Sequence, residues 1–254
     1  VCDFDEVKVM KRIGVLTSSR ADFGIYLPLL KALKKDSFFK VNIIAFGTHL
    51  SRFHGYTLNQ IEKEGFNAKY IIESMLASDS REAIATAMSL TMMKFSGFWQ
   101  EHKQEFDIVL CLGDRYEMFA AVLAGVPFQI RFAHLHGGEK TLGAIDNVFR
   151  HAISHASKIH FTSTALYQER IMCLLDEPKH VYYTGALSLD NLSGFPFLSK
   201  DSFNKEWGVN LSLPTILTTF HPETVDSELN AKHAEEIVKL ILSTEGYQFL
   251  ITMP

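Results

Sequence analysis

Short apolar runs of strand length recur along the chain, at 12–17 (RIGVLT), 41–46 (VNIIAF), 68–72 (AKYII), 107–112 (DIVLCL), 128–134 (FQIRFAH), 158–162 (KIHFT) and 180–183 (HVYY). The segments between them carry helix-like patterning, near 23–35, 57–64, 79–103, 115–125, 145–156 and 165–174. Strands that are apolar on both faces, separated by helices, predict a parallel sheet covered on both sides, hence an α/β fold. Ligands of such sheets bind at the carboxyl ends of the strands, near a switch in strand order.

The rhythm breaks at 185–214, a stretch rich in Ser, Gly, Pro and Asn with no sustained period. It reads as a crossing between domains. A fresh β-α-β follows, with strands at 215–220 and 247–252 and a helix at 227–243. A unit of that size does not close its own core. The expectation is an N-terminal extension at 1–9, a first domain at 10–187, a connection at 188–213 and an incomplete second domain from 214.

Composition changes this picture little. With 254 residues and 47% hydrophobic content there is ample material for a large core, and 20 Phe and 8 Tyr exclude a disordered chain. A net charge of −4 gives no basic excess for nucleic acid or an anionic membrane. No apolar run reaches membrane-spanning length. Three scattered cysteines, Cys2, Cys111 and Cys173, form neither a disulfide framework nor a zinc-ligand spacing. They fit a reducing cytoplasm.

The candidate chemistry sits where apolar runs stop. In LTSSRADFG (16–24), Ser18 or Ser19 caps a helix beside Arg20 and Asp22. Helix-start N–H groups plus Arg20 form an anion site, or Arg20 is simply solvated. Only Gly24 is present, so a dinucleotide fingerprint is absent. In LGDRYE (112–117), Asp114 reads as a helix N-cap, with Glu117 completing a capping box, or as a catalytic carboxylate at a strand end. Arg115 opposes the helix dipole and needs an anionic partner or solvent.

In HLHGGEKTLGAIDNVFRH (134–151), His134 and His136 alternate at a strand end, so one faces the core and the other the cleft. Gly137 and Gly138 permit a sharp turn that brings up Glu139. Asp146 and Arg150 lie four apart on a helix and read as an ion pair, and His151 and His155 share a neighbouring face at the same spacing. His155 and His160 read as filling residues. Opposite-facing histidines make a metal site from His134, His136 and Glu139 a poor reading, and none is expected. His221, in FHPET (220–224), stands at a strand–helix junction and suits a phosphate.

Taken together and in order, SRADFG, LGDRYE, HLHGGE…D…RH and FHPET resemble the hydrolysing UDP-N-acetylglucosamine 2-epimerases, the NeuC-type enzymes, from about Met10 onward. The resemblance implies a glycosyltransferase-B-like pair of Rossmann-type domains, the second one truncated here. It implies conversion of UDP-GlcNAc and water to ManNAc and UDP in sialic-acid-type sugar synthesis, with no cofactor. Elimination of UDP would give a glycal, which is then hydrated. Asp114, Glu139, Asp146 and His136 would be the catalytic set. Arg20, Gly24, Arg115, Arg150 and His221 would hold the UDP-sugar, with Arg150 orienting Asp146. The family also implies a cytoplasmic dimer or tetramer acting without nucleic acid or membrane.

One position departs from the family pattern. Several relatives carry Glu where this chain has His136, which leaves the acid and base roles of His136 and Glu139 open. UDP-N,N′-diacetylbacillosamine is an alternative substrate. A nucleotide-sugar-binding module without turnover is the alternative from another class.

Overall fold

A computed structural model describes residues 9–78, 80–176, 179–192, 195–222 and 227–252. The expected N-terminal extension, apart from Val9, lies outside the described residues, and Cys2 with it. The chain forms two compact units. The first takes the chain to Lys140 and resumes at Asp146; the second takes Thr141–Ile145 and the chain from residue 195 onward.

The first unit alternates strands and helices: β1 (Lys11–Thr17), α1 (Arg20–Lys35), β2 (Phe39–Phe46), α2 (Leu58–Lys63), β3 (Ala68–Ile72), α3 (Arg81–His102) and β4 (Ile108–Leu112). It continues with α4 (Tyr116–Gly125), β5 (Phe132–Leu135), α5 (Asp146–Ala156), β6 (Ile159–Thr162), α6 (Ala165–Leu175), β7 (Val181–Tyr183) and α7 (Leu187–Asp190). The strands form one sheet in the order β3-β2-β1-β4-β5-β6-β7. Every pairing is parallel. The order reverses between β1 and β4, so the switch point lies there.

Neighbouring strand residues bury on opposite faces, which is why the runs look uniformly apolar. Val15, Ile43 and Leu110 enter a core with Phe23, Tyr26 and Leu30 of α1 and Ile61 of α2. Leu16, Ile44 and Cys111 enter a second core with Phe95 and Trp99 of α3, Met118 of α4 and Ile153 of α5. Trp99 is fully buried and its indole N–H donates to the carbonyl of Ala121 at 3.0 Å. Gly125 sits so close to Phe132 that an added Cβ would lie 2.6 Å from the ring. The packing of α4 against β5 therefore depends on that glycine.

Two stretches differ from the sequence expectation. The run expected as a strand from 128 becomes β5 only at Phe132, because a 3-10 turn spans Val126–Phe128 and Gln129 adopts φ 58°. The stretch 185–214 is not all loop. It holds α7 and, in the second unit, α8 (Lys200–Trp207). Ser199 caps α8 at its start, and Gly208 ends it with φ 69°. A helix of about two turns is too short to show a period in the sequence.

The second unit continues with β8 (Thr215–Thr219), α9 (Asn230–Ser243) and β9 (Gln248–Thr252). β8 and β9 pair in parallel, as a β-α-β should. A 3-10 turn at Ser227–Leu229 precedes α9.

Candidate functional site

The carboxyl ends of β1, β4 and β5 lie side by side at the switch in strand order, and each passes directly into a cluster of polar residues. At the end of β4, Gly113 turns the chain with φ 78°. The α4 helix then starts at Tyr116 with Arg115 in the cap position and no side-chain cap. Asp114 is therefore not the N-cap, and Glu117 closes no capping box. Glu117 is instead fully buried and accepts a 2.6 Å hydrogen bond from Arg115 Nη2. That pair supplies the anion Arg115 needs. Among the described residues Glu117 Oε2 and Arg115 Nε have no partner.

At the end of β5 the alternation stops after Leu135. His136 adopts φ 62°, so it belongs to the turn and not to the strand. His134 is fully buried, with Nε2 2.8 Å from the Gly113 carbonyl and Nδ1 3.0 Å from Ser154 Oγ. A carbonyl only accepts, so Nε2 carries the proton and Nδ1 accepts from Ser154. Burial pushes the His134 pKa down to about 3. Gly137 packs against that imidazole, where a Cβ would lie 3.0 Å from Nδ1. Gly138, at φ 79°, would place a Cβ 2.5 Å from the Tyr167 carbonyl oxygen, and its own carbonyl accepts from Arg170 at 2.6 Å. The Gly-Gly turn is thus clamped between α5 and α6, and Glu139 leaves it in a fixed direction.

Arg150 of α5 joins the two strand ends. Its guanidinium forms an ion pair with Asp114, donates to the His136 carbonyl at 2.8 Å, and reaches Glu139 Oε2 at 3.3 Å. The expected Arg150–Asp146 pair is not formed. The arginine is 6% exposed and spends its donors on residues from two other elements. Asp146, half-buried at the first position of α5, still lies within electrostatic reach of Asp114.

The two carboxyl groups that share Arg150 are shifted in opposite directions. Burial pushes the Asp114 pKa up; Arg150 opposes this, and repulsion from Asp146 and Glu139 adds to it. Burial also pushes Glu139 up, but hydrogen bonds from His136 Nδ1 at 2.7 Å and Ser163 Oγ at 2.6 Å outweigh it and leave the pKa low. Neighbouring carboxyl groups whose environments push their pKa values apart are a candidate acid–base arrangement.

The start of α1 differs from a plain anion site. Ser19 is the N-cap and forms a capping box with Asp22. The Asp22 carboxylate accepts from Ser18 N at 2.7 Å, Ser19 N at 3.0 Å and Thr17 Oγ1 at 2.7 Å. Buried His49 completes the network, with Nε2 2.9 Å from Thr17 Oγ1. The N-cap N–H of Ser19 and the Ser18 N–H just before it are therefore already occupied by the chain's own carboxylate. Arg20 stays exposed, and Gly24 has open space where a Cβ would be.

The structure thus gathers Asp114, His136, Glu139 and Arg150, with Asp146 in reach and the Arg115–Glu117 pair beside Asp22. His221 is exposed after β8 in the second unit; Glu223 and Thr224 of its motif fall outside the described residues. Ser163, Ser154 and Arg170 escape the sequence reading. Ser163 follows β6 directly, so its place at a strand's carboxyl end is the one available signal. Among the described residues, no group of three or more His, Cys, Asp or Glu is placed to hold a metal ion, and no helix is long and apolar enough to cross a membrane. Cys111 is buried, its thiol pushed up to about 12 by desolvation.

The profile of the UDP-N-acetylglucosamine 2-epimerase family matches residues 31–254. The chain belongs to that family. It is 35% identical over 232 residues to the hydrolysing GDP/UDP-N,N′-diacetylbacillosamine 2-epimerase of Campylobacter jejuni, covering 91% of this chain and 59% of the relative. It is 32% identical to polysialic acid biosynthesis protein P7 of Escherichia coli, with the same coverage. The chain therefore spans about three fifths of the length of these family members. The UDP-GlcNAc 2-epimerase of Neisseria meningitidis, solved bound to UDP-GlcNAc, superposes with a TM-score of 0.77 at 20% identity, covering 96% of this chain and 66% of that one. That likeness shows the shared α/β, glycosyltransferase-B-like fold.

Proposed function

We propose that the protein is a hydrolysing UDP-sugar 2-epimerase and that Asp114, His136, Glu139 and Asp146 carry its proton transfers. The observation that carries this reading is the unlike carboxyl pair, Asp114 and Glu139, bridged by buried Arg150 at the switch point.

The chemistry requires such a set. The proton on sugar C2 has no adjacent carbonyl, so its removal is coupled to departure of UDP from C1. A base takes the C2 proton, the C1–O bond breaks, and a C1–C2 double bond forms as a glycal. An acid then returns a proton to C2 on the opposite face while water adds at C1. Base and acid are thus needed near one carbon, with cations where charge develops on the diphosphate. Arg20, Arg115 and His221 are the proposed cations, Gly24 the proposed close approach, and Arg150 the group that holds the carboxylates apart. No step calls for a cofactor.

UDP-GlcNAc, giving ManNAc and UDP on a sialic-acid-type route, is the substrate in this reading. The Campylobacter relative supports a second one, UDP-N,N′-diacetylbacillosamine. The test is incubation with each nucleotide sugar, with UDP release and the free sugar followed by NMR. Release of the free 2-epimer from one of them supports the proposal and names the substrate. Return of a UDP-linked 2-epimer, or no turnover, overturns it. A homo-oligomeric, cytoplasmic protein is part of the same proposal, checked by light scattering and cell fractionation.

A further inference from the structure

Glu139 Oε1 is shared by two donors, His136 Nδ1 at 2.7 Å and the Ser163 hydroxyl at 2.6 Å. Its other oxygen sees Arg150 at a longer 3.3 Å. Glu139 is ionised, so it can only accept, and Nδ1 of His136 must carry a proton. In the neutral imidazole the lone pair then lies on Nε2. That atom is buried and has no hydrogen-bond partner among the described residues. The ring is fixed at its other end too, because His136 holds φ 62° and its carbonyl is bound by Arg150. A buried, unpartnered ring nitrogen opposite a carboxylate-bound one is how a proton-carrying histidine is oriented.

We infer that Ser163 is a positioning residue: it anchors Glu139 so that His136 is held in the Nδ1-protonated tautomer, and Nε2 is the atom that exchanges the proton with the sugar. The inference rests on the proposed 2-epimerase reading for the identity of the sugar, but not for the tautomer. The charged groups around His136 are Glu139 and Arg150, with neutral His134 behind the turn. Ser163 comes from the β6–α6 junction, 24 positions beyond Glu139, so the serine holds the turn to a separate element. It does not touch substrate in this arrangement.

The tests are imidazole ¹⁵N NMR and steady-state kinetics on wild type, Ser163→Ala and Ser163→Thr. Wild type should show protonated Nδ1 and unprotonated Nε2 for His136 whenever the ring is neutral. Ser163→Ala should give mixed tautomers and a kcat about tenfold lower, with KM within about twofold, as for loss of one charge-assisted hydrogen bond. Ser163→Thr, which keeps the hydroxyl, should restore both. A neutral ring protonated on Nε2 in wild type, or an Ala variant with unchanged tautomer and kcat, overturns the inference. If neither nucleotide sugar is turned over, the functional reading fails, and the NMR result still decides whether Ser163 sets the tautomer.

Discussion

His134 donates its Nε2 proton to the Gly113 carbonyl at 2.8 Å and so ties β5 to the residue that aims Asp114. The ring's other contact, Nδ1 accepting from Ser154 Oγ, needs a neutral ring, and burial holds the His134 pKa down to about 3. A folded-state value below the unfolded one of about 6.5 means that the unfolded chain binds more protons between those limits. The stability it contributes is present above pH 6.5 and is lost as pH falls toward 3. His160, pushed down by burial to about 4, acts in the same direction. Unfolding free energies from urea denaturation measured from pH 7 to 4 should fall steadily, by a few kcal/mol in total, since a tenfold change in proton affinity is worth about 1.4 kcal/mol. A flat profile would show that His134 titrates normally.

Arg150 is shared by the Asp114 and Glu139 carboxyl groups and should be the least replaceable residue of the site. Arg150→Met leaves Asp114 and Glu139 facing each other unpaired, at a cost of about 3 kcal/mol, the lower end for a broken buried pair because both acids are partly exposed. Arg150→Lys keeps the charge but not the fork that reaches three acceptors, so it should recover stability only in part. Chemical denaturation of both variants checks the order.

Asp114→Asn should separate stability from activity. A raised folded-state pKa means the fold favours the neutral carboxyl. That contribution is full below the unfolded value of about 3.9 and is lost as pH rises through the folded one. The Asn variant, neutral at every pH, should match wild type near pH 3.5 and melt at the same or a higher temperature at pH 7. Its kcat should fall by roughly 100-fold or more if Asp114 transfers a proton. A lower melting temperature at pH 7 would contradict the sign of the shift.

Two glycines make opposite predictions. Gly138→Ala forces a Cβ onto the Tyr167 carbonyl oxygen at a left-handed φ and should cost about 1–3 kcal/mol. Gly24→Ala meets open space inside α1 and should stabilise by about 0.5–1 kcal/mol. If Gly24 gives a nucleotide sugar close access to the backbone, the second variant becomes more stable while its KM rises. Thermal melts and substrate titrations separate the two effects.

The strands are legible in the sequence because burial on both faces leaves few alternatives for runs such as VNIIAF. The β4 and β5 ends are legible as chemistry because charged residues follow directly on apolar ones. The partners are not. A spacing of four assigns Arg150 to Asp146, but the helix buries that side chain toward Asp114, 36 positions away. Local rules make Asp114 a cap, whereas α4 begins two residues later. Strand alternation places His136, yet a left-handed residue does not follow it. In each case a long-range contact overrides a local preference, and such contacts leave no periodic trace.

Asp22 has one more consequence. By filling the start of α1 with its own carboxylate, the chain seats a built-in anion where many nucleotide sites offer bare amides. Under the proposed function, a diphosphate approaching this edge would meet negative charge at close range and would have to be gripped by side-chain guanidinium groups such as exposed Arg20. Grip of that kind is screened by electrolyte within about 10 Å at 0.1 M. Under the proposed function, nucleotide-sugar capture at this edge would thereby be tied to the ionic strength of the surroundings.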